Sequence, residues 1–246
     1  MYLEDMSWVE VNEYVQKKCC RAIMVPIGAY EEHGPHLPIK TDIFISTKIC
    51  EIVAEKLDLP VAPPIGFGLC RSTREFPGTF SFEISTFLSL LVDYFSNLIN
   101  FGFSKLFIVT WHTGKLHLCI LRESILKSME RWLNRNLSFY LFTANDLLQE
   151  IPKDINENLV HGGRIETSIM LYLDRKSVKL EFLKDSLDCS TDIDNHLVLR
   201  SWRKYIPEGY KGNPLAASYD EGKYLFNKIV KYVENEIRKR ISSDHS

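Results

Sequence analysis

The segment Glu31-Glu32-His33-Gly34-Pro35-His36-Leu37-Pro38 sets two imidazoles and two carboxylates side by side, and Asp42 follows close behind. Each of these groups costs free energy to bury unless it is paired or bound to a metal. Imidazole and carboxylate donors together form the ligand set of zinc, manganese and iron. A carboxylate shared between two such ions holds them together while they activate a water. Two further motifs carry the same donor types. One is Thr110-Trp111-His112-Thr113-Gly114. The other is His161-Gly162-Gly163-Arg164-Ile165-Glu166-Thr167-Ser168, where a glycine-rich turn opens a helix.

Two of the three motifs directly follow apolar runs that read as buried strands, at residues 22–28 and at Lys105 to Thr110. Ligands of open α/β sheets bind beyond the carboxyl ends of the strands, which would bring these motifs to one edge. Helical stripes are expected from Asp42 to Leu57, Glu83 to Phe101 (with Gly102 as its C-cap), Leu116 to Leu133, Arg164 to Tyr172 and Ser218 to Ile241. A third strand is expected at Ser138 to Thr143, and a short extended run from Leu59 is ended by Pro63-Pro64. Polar loops are expected at Asp185 to Asn195 and at Pro207 to Pro214. The alternation of strand and helix predicts a single three-layer α/β/α domain over residues 1–246, with a mostly parallel sheet.

The 246 residues are 45% hydrophobic and 25% charged, as in ordinary globular proteins. A net charge of -2 gives no reason to expect nucleic acid or an anionic membrane as partner. No apolar run is expected to span a bilayer, and the acidic start lacks the basic region of a signal peptide. The six cysteines show no zinc-finger spacing and read as buried thiols of a cytoplasmic protein.

The run Pro26 to Pro38 with Thr41-Asp42 resembles the signature of the creatininase family. So do Phe76-Pro77-Gly78-Thr79, Trp111-His112-Thr113-Gly114, His161 to Ser168, and the spacing of Gly209, Gly212, Pro214, Ala217 and Gly222. The resemblance implies a metal-dependent amidohydrolase, often a homohexamer, that cleaves an amide, cyclic amide or formamide C–N bond. It implies two divalent ions per chain, with zinc, manganese or iron as candidates. Glu31 and His112 would hold one ion and His33 the second, with Asp42 bridging. Glu166 would be a ligand or close neighbour of the second ion, and His161 the acid that protonates the leaving nitrogen. Trp111, Thr79 and Gly114 are candidates for contact with a small amide substrate.

Two departures stand out. Gly114 occupies a position where creatininases carry a ligating Glu, and Asn156 to Val160 lacks the tryptophan that holds the creatinine ring. Creatinine is therefore not the expected substrate. A family member without catalysis, serving as a binding or assembly subunit, is the alternative. Among the other polar residues, His36 is expected to brace its loop, Glu32 to point away from Glu31 and stand behind the ligands or at the surface, and His117 to be structural or exposed. An ordinary loop with a buried thiol is at least as good a reading of Cys70 and Arg71 as a pocket wall. His196 and His245 have no supporting context.

Overall fold

The computed structural model describes residues 1–17, 21–149, 159–183 and 201–242. Its centre is a parallel sheet of β1 (Ala22–Ile27), β2 (Lys105–Thr110) and β3 (Ser138–Thr143), in that order. Ala22 lies opposite Lys105, which in turn lies opposite Ser138, so the three strands end level at Ile27, Thr110 and Thr143. Every residue of β1 and β2 is buried, as expected of a parallel sheet covered on both faces. The extended run near Leu59 adds a broken fourth strand beside β1. Met24 N–H donates to Pro60 O at 2.9 Å and Gly28 N–H to Ile65 O at 2.9 Å. Pro63 and Pro64 lack the donors a regular ladder needs, so only isolated bridges form.

Successive strand side chains point to opposite faces, and two separate cores follow from that alternation. Ala22, Met24, Phe107 and Val109 pack beneath α2 (Thr41–Leu57), α6 (Arg164–Asp174) and α7 (Tyr219–Ser242). Ile23, Val25, Ile27, Leu106 and Ile108 pack beneath α1 (Trp8–Lys17), α3 (Ile84–Phe101) and α4 (Lys115–Arg131). The three-layer expectation is therefore met. A short α5 (Ala144–Gln149) leaves β3 directly. On α7 the stripe Leu225, Phe226, Ile229, Val230, Val233 and Ile237 is buried despite the helix's many charges. Each such side chain contributes about 1.5–3 kcal/mol, which decides the docking of that face.

Two expectations need correcting. By length and composition α3 is apolar enough to cross a membrane, with 18 residues at mean hydropathy 1.2. Here its Phe87, Leu91, Phe95 and Leu98 pack against the sheet, and Gly102, at φ 112°, ends it in the left-handed conformation. Of the cysteines, Cys50 and Cys70 are buried but Cys119 is exposed, whereas Cys19, Cys20 and Cys189 lie outside the described residues. The loop expected at Asp185 to Asn195 also lies outside them, as do Asn156 to Asn158, His196 and His245.

Candidate metal centre

Just past Ile27 the chain passes Gly28 and turns into the polar segment. A Cβ at Gly28 would stand 2.6 Å from the Ile43 backbone nitrogen. Only glycine lets the first turn of α2 approach this closely, and that approach carries Asp42 to the end of β1. Past Thr110, the end of β2 delivers Trp111 and His112 to the same place. The turn before α6 delivers His161, and the first turn of α6 delivers Glu166.

Asp42 lies at the middle of the cluster. Its Oδ1 is 3.1 Å from His33 Nε2 and its Oδ2 is 2.9 Å from His112 Nδ1. His112 Nδ1 is also 2.9 Å from Glu31 Oε2, and His33 Nε2 is 3.8 Å from Glu166 Oε2. Glu31, His33, Asp42, His112 and Glu166 are all buried. Two triads here bring their donor atoms within 4.8 Å of one another, His33 with Asp42 and Glu166, and Glu31 with Cys70 and His112. A third joins Glu31, His33 and His161.

The donors fit divalent ions on the structure's own terms. Only one proton on His112 Nδ1 faces two carboxylate oxygens. Glu31 Oε2, although buried, has no hydrogen-bond donor in acceptable geometry. An unsatisfied buried carboxylate oxygen calls for a cation. Burial by itself would depress His33, but Asp42, Glu166 and Glu31 outweigh it and raise its pKa to about 10. Burial opposes the charge of His112 too, yet the Glu31 carboxylate helps push it well above the ordinary imidazole value. Glu31 falls to about 2, because His112 overcomes the cost of burying it. Asp42 likewise falls, its burial outweighed by His33 and His112. Burial raises Glu166, with Asp42 adding to the rise.

Around this cluster stand residues that the sequence alone did not single out. Thr73 donates a short hydrogen bond to Glu31 Oε1. Ser46 accepts from the Trp111 backbone N–H at 2.8 Å while donating to Asp42 O. Both are ordinary hydroxyl residues without a motif, so no pattern could have marked them. His112 Nε2 lies 3.2 Å from Leu69 O, which orients the ring. Glu32 does not point to the surface. It accepts from Gly34 N–H at 3.0 Å, and its Oε1 lies 3.3 Å from His161 Nε2, which also donates to Glu32 O at 2.6 Å. His161 Nδ1 is then the nitrogen left outside those bonds. Burial and His33 lower the pKa of His161, but Glu32 and Glu31 leave it raised overall.

The substrate-side candidates separate. Trp111 lines the cavity but is only 1% exposed, and its indole N–H donates to Glu166 Oε1 at 3.0 Å, so the ring also braces that carboxylate. Thr79 accepts from Glu32 N–H at 3.0 Å and steadies the loop; it does not line the cavity. Gly114 does line it, and a Cβ there would meet His112 Nε2 at 2.7 Å. The His112 ring thus fills space that a larger residue at 114 would need. The cavity, about 400 Å³, is also lined by Cys70, Lys115, Trp202 and Lys211. Burial raises the Cys70 thiol to about 11. Trp202 stands edge-on to His161 with ring centres 5.4 Å apart. An aromatic wall therefore does exist beside His161, supplied from a distant segment that Trp202 N–H ties to Ser72 O at 2.7 Å. His36 braces its loop by bonding Thr167 Oγ1 at 2.9 Å, and His117 is fully buried against Phe87.

The family model for creatininase, described as creatinine amidohydrolase, matches residues 4–237. The chain belongs to the creatininase family. Among curated relatives of this chain, a creatinine amidohydrolase of Pseudomonas putida is 24% identical, over 97% of this chain and 96% of its own length. A mycofactocin precursor peptide peptidase of Mycolicibacterium smegmatis is 26% identical, over 88% and 84%. A 3-dehydro-scyllo-inosose hydrolase of Thermotoga maritima is 24% identical, over 97% and 83%. A solved creatininase mutant of the Zn-Zn type superposes with a TM-score of 0.87 at 23% identity, over 98% of both chains. A manganese creatininase gives 0.83 at 23% identity and the same coverage. This chain is accordingly a creatininase-family amidohydrolase with the α/β fold of those structures.

Proposed function

We propose that this amidohydrolase cleaves a small amide, cyclic amide, formamide or peptide C–N bond with two divalent ions. The carrying observation is Asp42, whose two oxygens face two different imidazoles. Glu31 and His112 would hold one ion, His33 and Glu166 the other, with Asp42 between them. Zinc, manganese and iron all suit this donor set, and relatives of known structure are zinc and manganese forms. When bound, the ions supply Lewis acidity and a water activated near neutral pH. The protein's part is to hold, orient and transfer protons. Thr73 fixes Glu31, Trp111 and the Gly162 N–H fix Glu166, and Leu69 O fixes His112. His161, oriented by Glu32 and biased toward its protonated form, delivers a proton to the departing nitrogen.

The test is metal analysis of protein saturated and desalted, followed by a screen of cyclic amides, formamides and short peptides with each metal. The expected result is two ions per chain and turnover of at least one class. Protein that retains no transition metal and turns over nothing fits the binding-subunit reading instead. Creatinine should be a poor substrate: Trp202 supplies one ring, but Gly114 supplies no carboxylate.

A further inference from the structure

The deep part of the cavity is acidic, yet its wall carries two lysines, Lys115 and Lys211. Among the described residues, no carboxylate lies within ion-pairing distance of either. Lys211 is half-buried, and its Nζ sits 4.4 Å from the centre of the Trp202 ring. The face of an indole attracts a cation but does not neutralise it. Burial pulls the Lys211 ammonium below its ordinary value with no anion to hold it up. Among the described residues such a cation lacks its counter-charge, and the open side of the cavity is where one can arrive. Position says more. The Lys211 backbone N–H donates to His161 O at 2.8 Å, and Trp202, the ring under the ammonium, also touches the His161 ring. Lys211 therefore belongs to the side of the cavity where His161 meets the departing nitrogen. Lys115 opens α4 from the position after Gly114, which gives that helix no side-chain cap.

We propose that Lys211, supported by Lys115, receives a carboxylate carried on the leaving-amine half of the substrate, so that the amine released is an amino acid. This rests on reading the cavity as a hydrolytic site with His161 on the leaving-group side. An N-acylated amino acid and a peptide losing its C-terminal residue share this chemistry. A lysine is a mobile point charge, suited to one carboxylate on substrates of varied length.

Equilibrium binding to the zinc-loaded protein tests this independently of turnover. The probes are N-formylglycine and its carboxamide, a tripeptide with free or amidated C-terminus, and succinamic acid, whose carboxylate lies on the acyl half. The free acid of at least one leaving-side pair should bind about tenfold or more tighter than its amide. Which pair shows the larger ratio identifies the source of the carboxylate. Lys211→Met should abolish the preference and Lys211→Arg restore it, with unchanged melting temperature as the folding control. Should a pair be hydrolysed, Lys211→Met should raise KM far more than it lowers kcat. Equal affinity for acid and amide overturns the proposal. So does a preference that survives Lys211→Met and Lys115→Met together, because the metals would then hold the carboxylate. Succinamic acid as the only Lys211-dependent ligand overturns the leaving-side assignment. Lys211-dependent binding without hydrolysis keeps the subsite and counts against the catalytic reading alone.

Discussion

Asp42 is where a single-atom change should matter most. Each of its oxygens faces a different imidazole, so Asp42→Asn removes charge from both halves of the cluster at once, while His33→Ala or His112→Ala strips only one. The expected outcome is loss of both ions in Asp42→Asn and of about one in either histidine variant, read by elemental analysis. Full metal content in Asp42→Asn would sink the bridging assignment. The proton inventory gives a second test. His33, at about 10, and His112, raised as well, keep their protons at neutral pH among these carboxylates. Metal ligation requires neutral imidazole, so filling the site at pH 7 should release about two protons per chain. Affinity then rises as pH climbs, because the competing protons leave. Calorimetry in buffers of different ionisation enthalpy reads the number directly, and uptake without proton release would contradict it. His161→Ala should behave differently. With its Nε2 bound to Glu32, it should leave metal content near normal and slow turnover by about 10²–10⁴-fold. Loss of metal instead would recast His161 as a ligand, a role its place beside Glu31 and His33 makes testable.

Among the elements, α6 is the one whose position the site depends on, since it carries Glu166. It is clamped by α7, where a Cβ at Gly222 would stand 1.8 Å from the Ser168 carbonyl oxygen. Glycine to alanine inside a helix normally gains about 1 kcal/mol in propensity. Here the overlap is with backbone, which cannot rotate away, and overpacking costs about 1–3 kcal/mol. Gly222→Ala should therefore lower the melting temperature and, by shifting α6, reduce metal content. A melting temperature at or above wild type would show that the two helices separate freely. The elements themselves were legible in the sequence wherever the apolar pattern was long. β2 and β3 fall where expected, and α2, α3 and α7 begin within one residue of expectation, because strand runs and helical stripes are local signals. The glycine after α3 was legible for the same reason. What could not be read is what depends on the third dimension. Trp202 reaches His161 across a large sequence separation, and Thr73 reaches Glu31 from just before the Phe-Pro-Gly-Thr motif, outside its four residues. Trp111 read equally well as a substrate wall or a core cap, and its hold on Glu166 is visible only once α6 is in place. Thr79, in the Phe-Pro-Gly-Thr loop, turned out to steady a backbone. The ligand types were legible because their chemistry is unusual in a core, whereas the residues that orient them are chemically ordinary.

On the scale of the whole molecule, the proposed ions would join parts of the chain that otherwise meet only through packing. Glu31 and His33 come from the loop after β1, Asp42 from α2, His112 from the end of β2 and Glu166 from α6. These segments lie on both sides of a long stretch of sequence, and α2, α6 and α7 share one core against the sheet. An ion that binds the folded arrangement and not the unfolded chain stabilises by mass action, about 2.7 kcal/mol at a hundredfold excess over Kd. For a chain of this length, 1 kcal/mol moves the melting temperature by about 2–4 °C. Saturating zinc or manganese should thus raise the transition by roughly 5–10 °C over chelator-treated protein, and the rise should grow with metal concentration. The cluster's own electrostatics sharpen the expectation. Chelated protein holds Glu31 and Asp42 only through the protonated His33 and His112 that would stand in for the ions. It should melt earlier, and Asp42→Asn, with one charge fewer, should show a much smaller response to added metal. Scanning calorimetry across a metal titration measures all three quantities. A melting temperature indifferent to metal in the wild-type protein would mean that the donors converge without binding an ion that spans these segments.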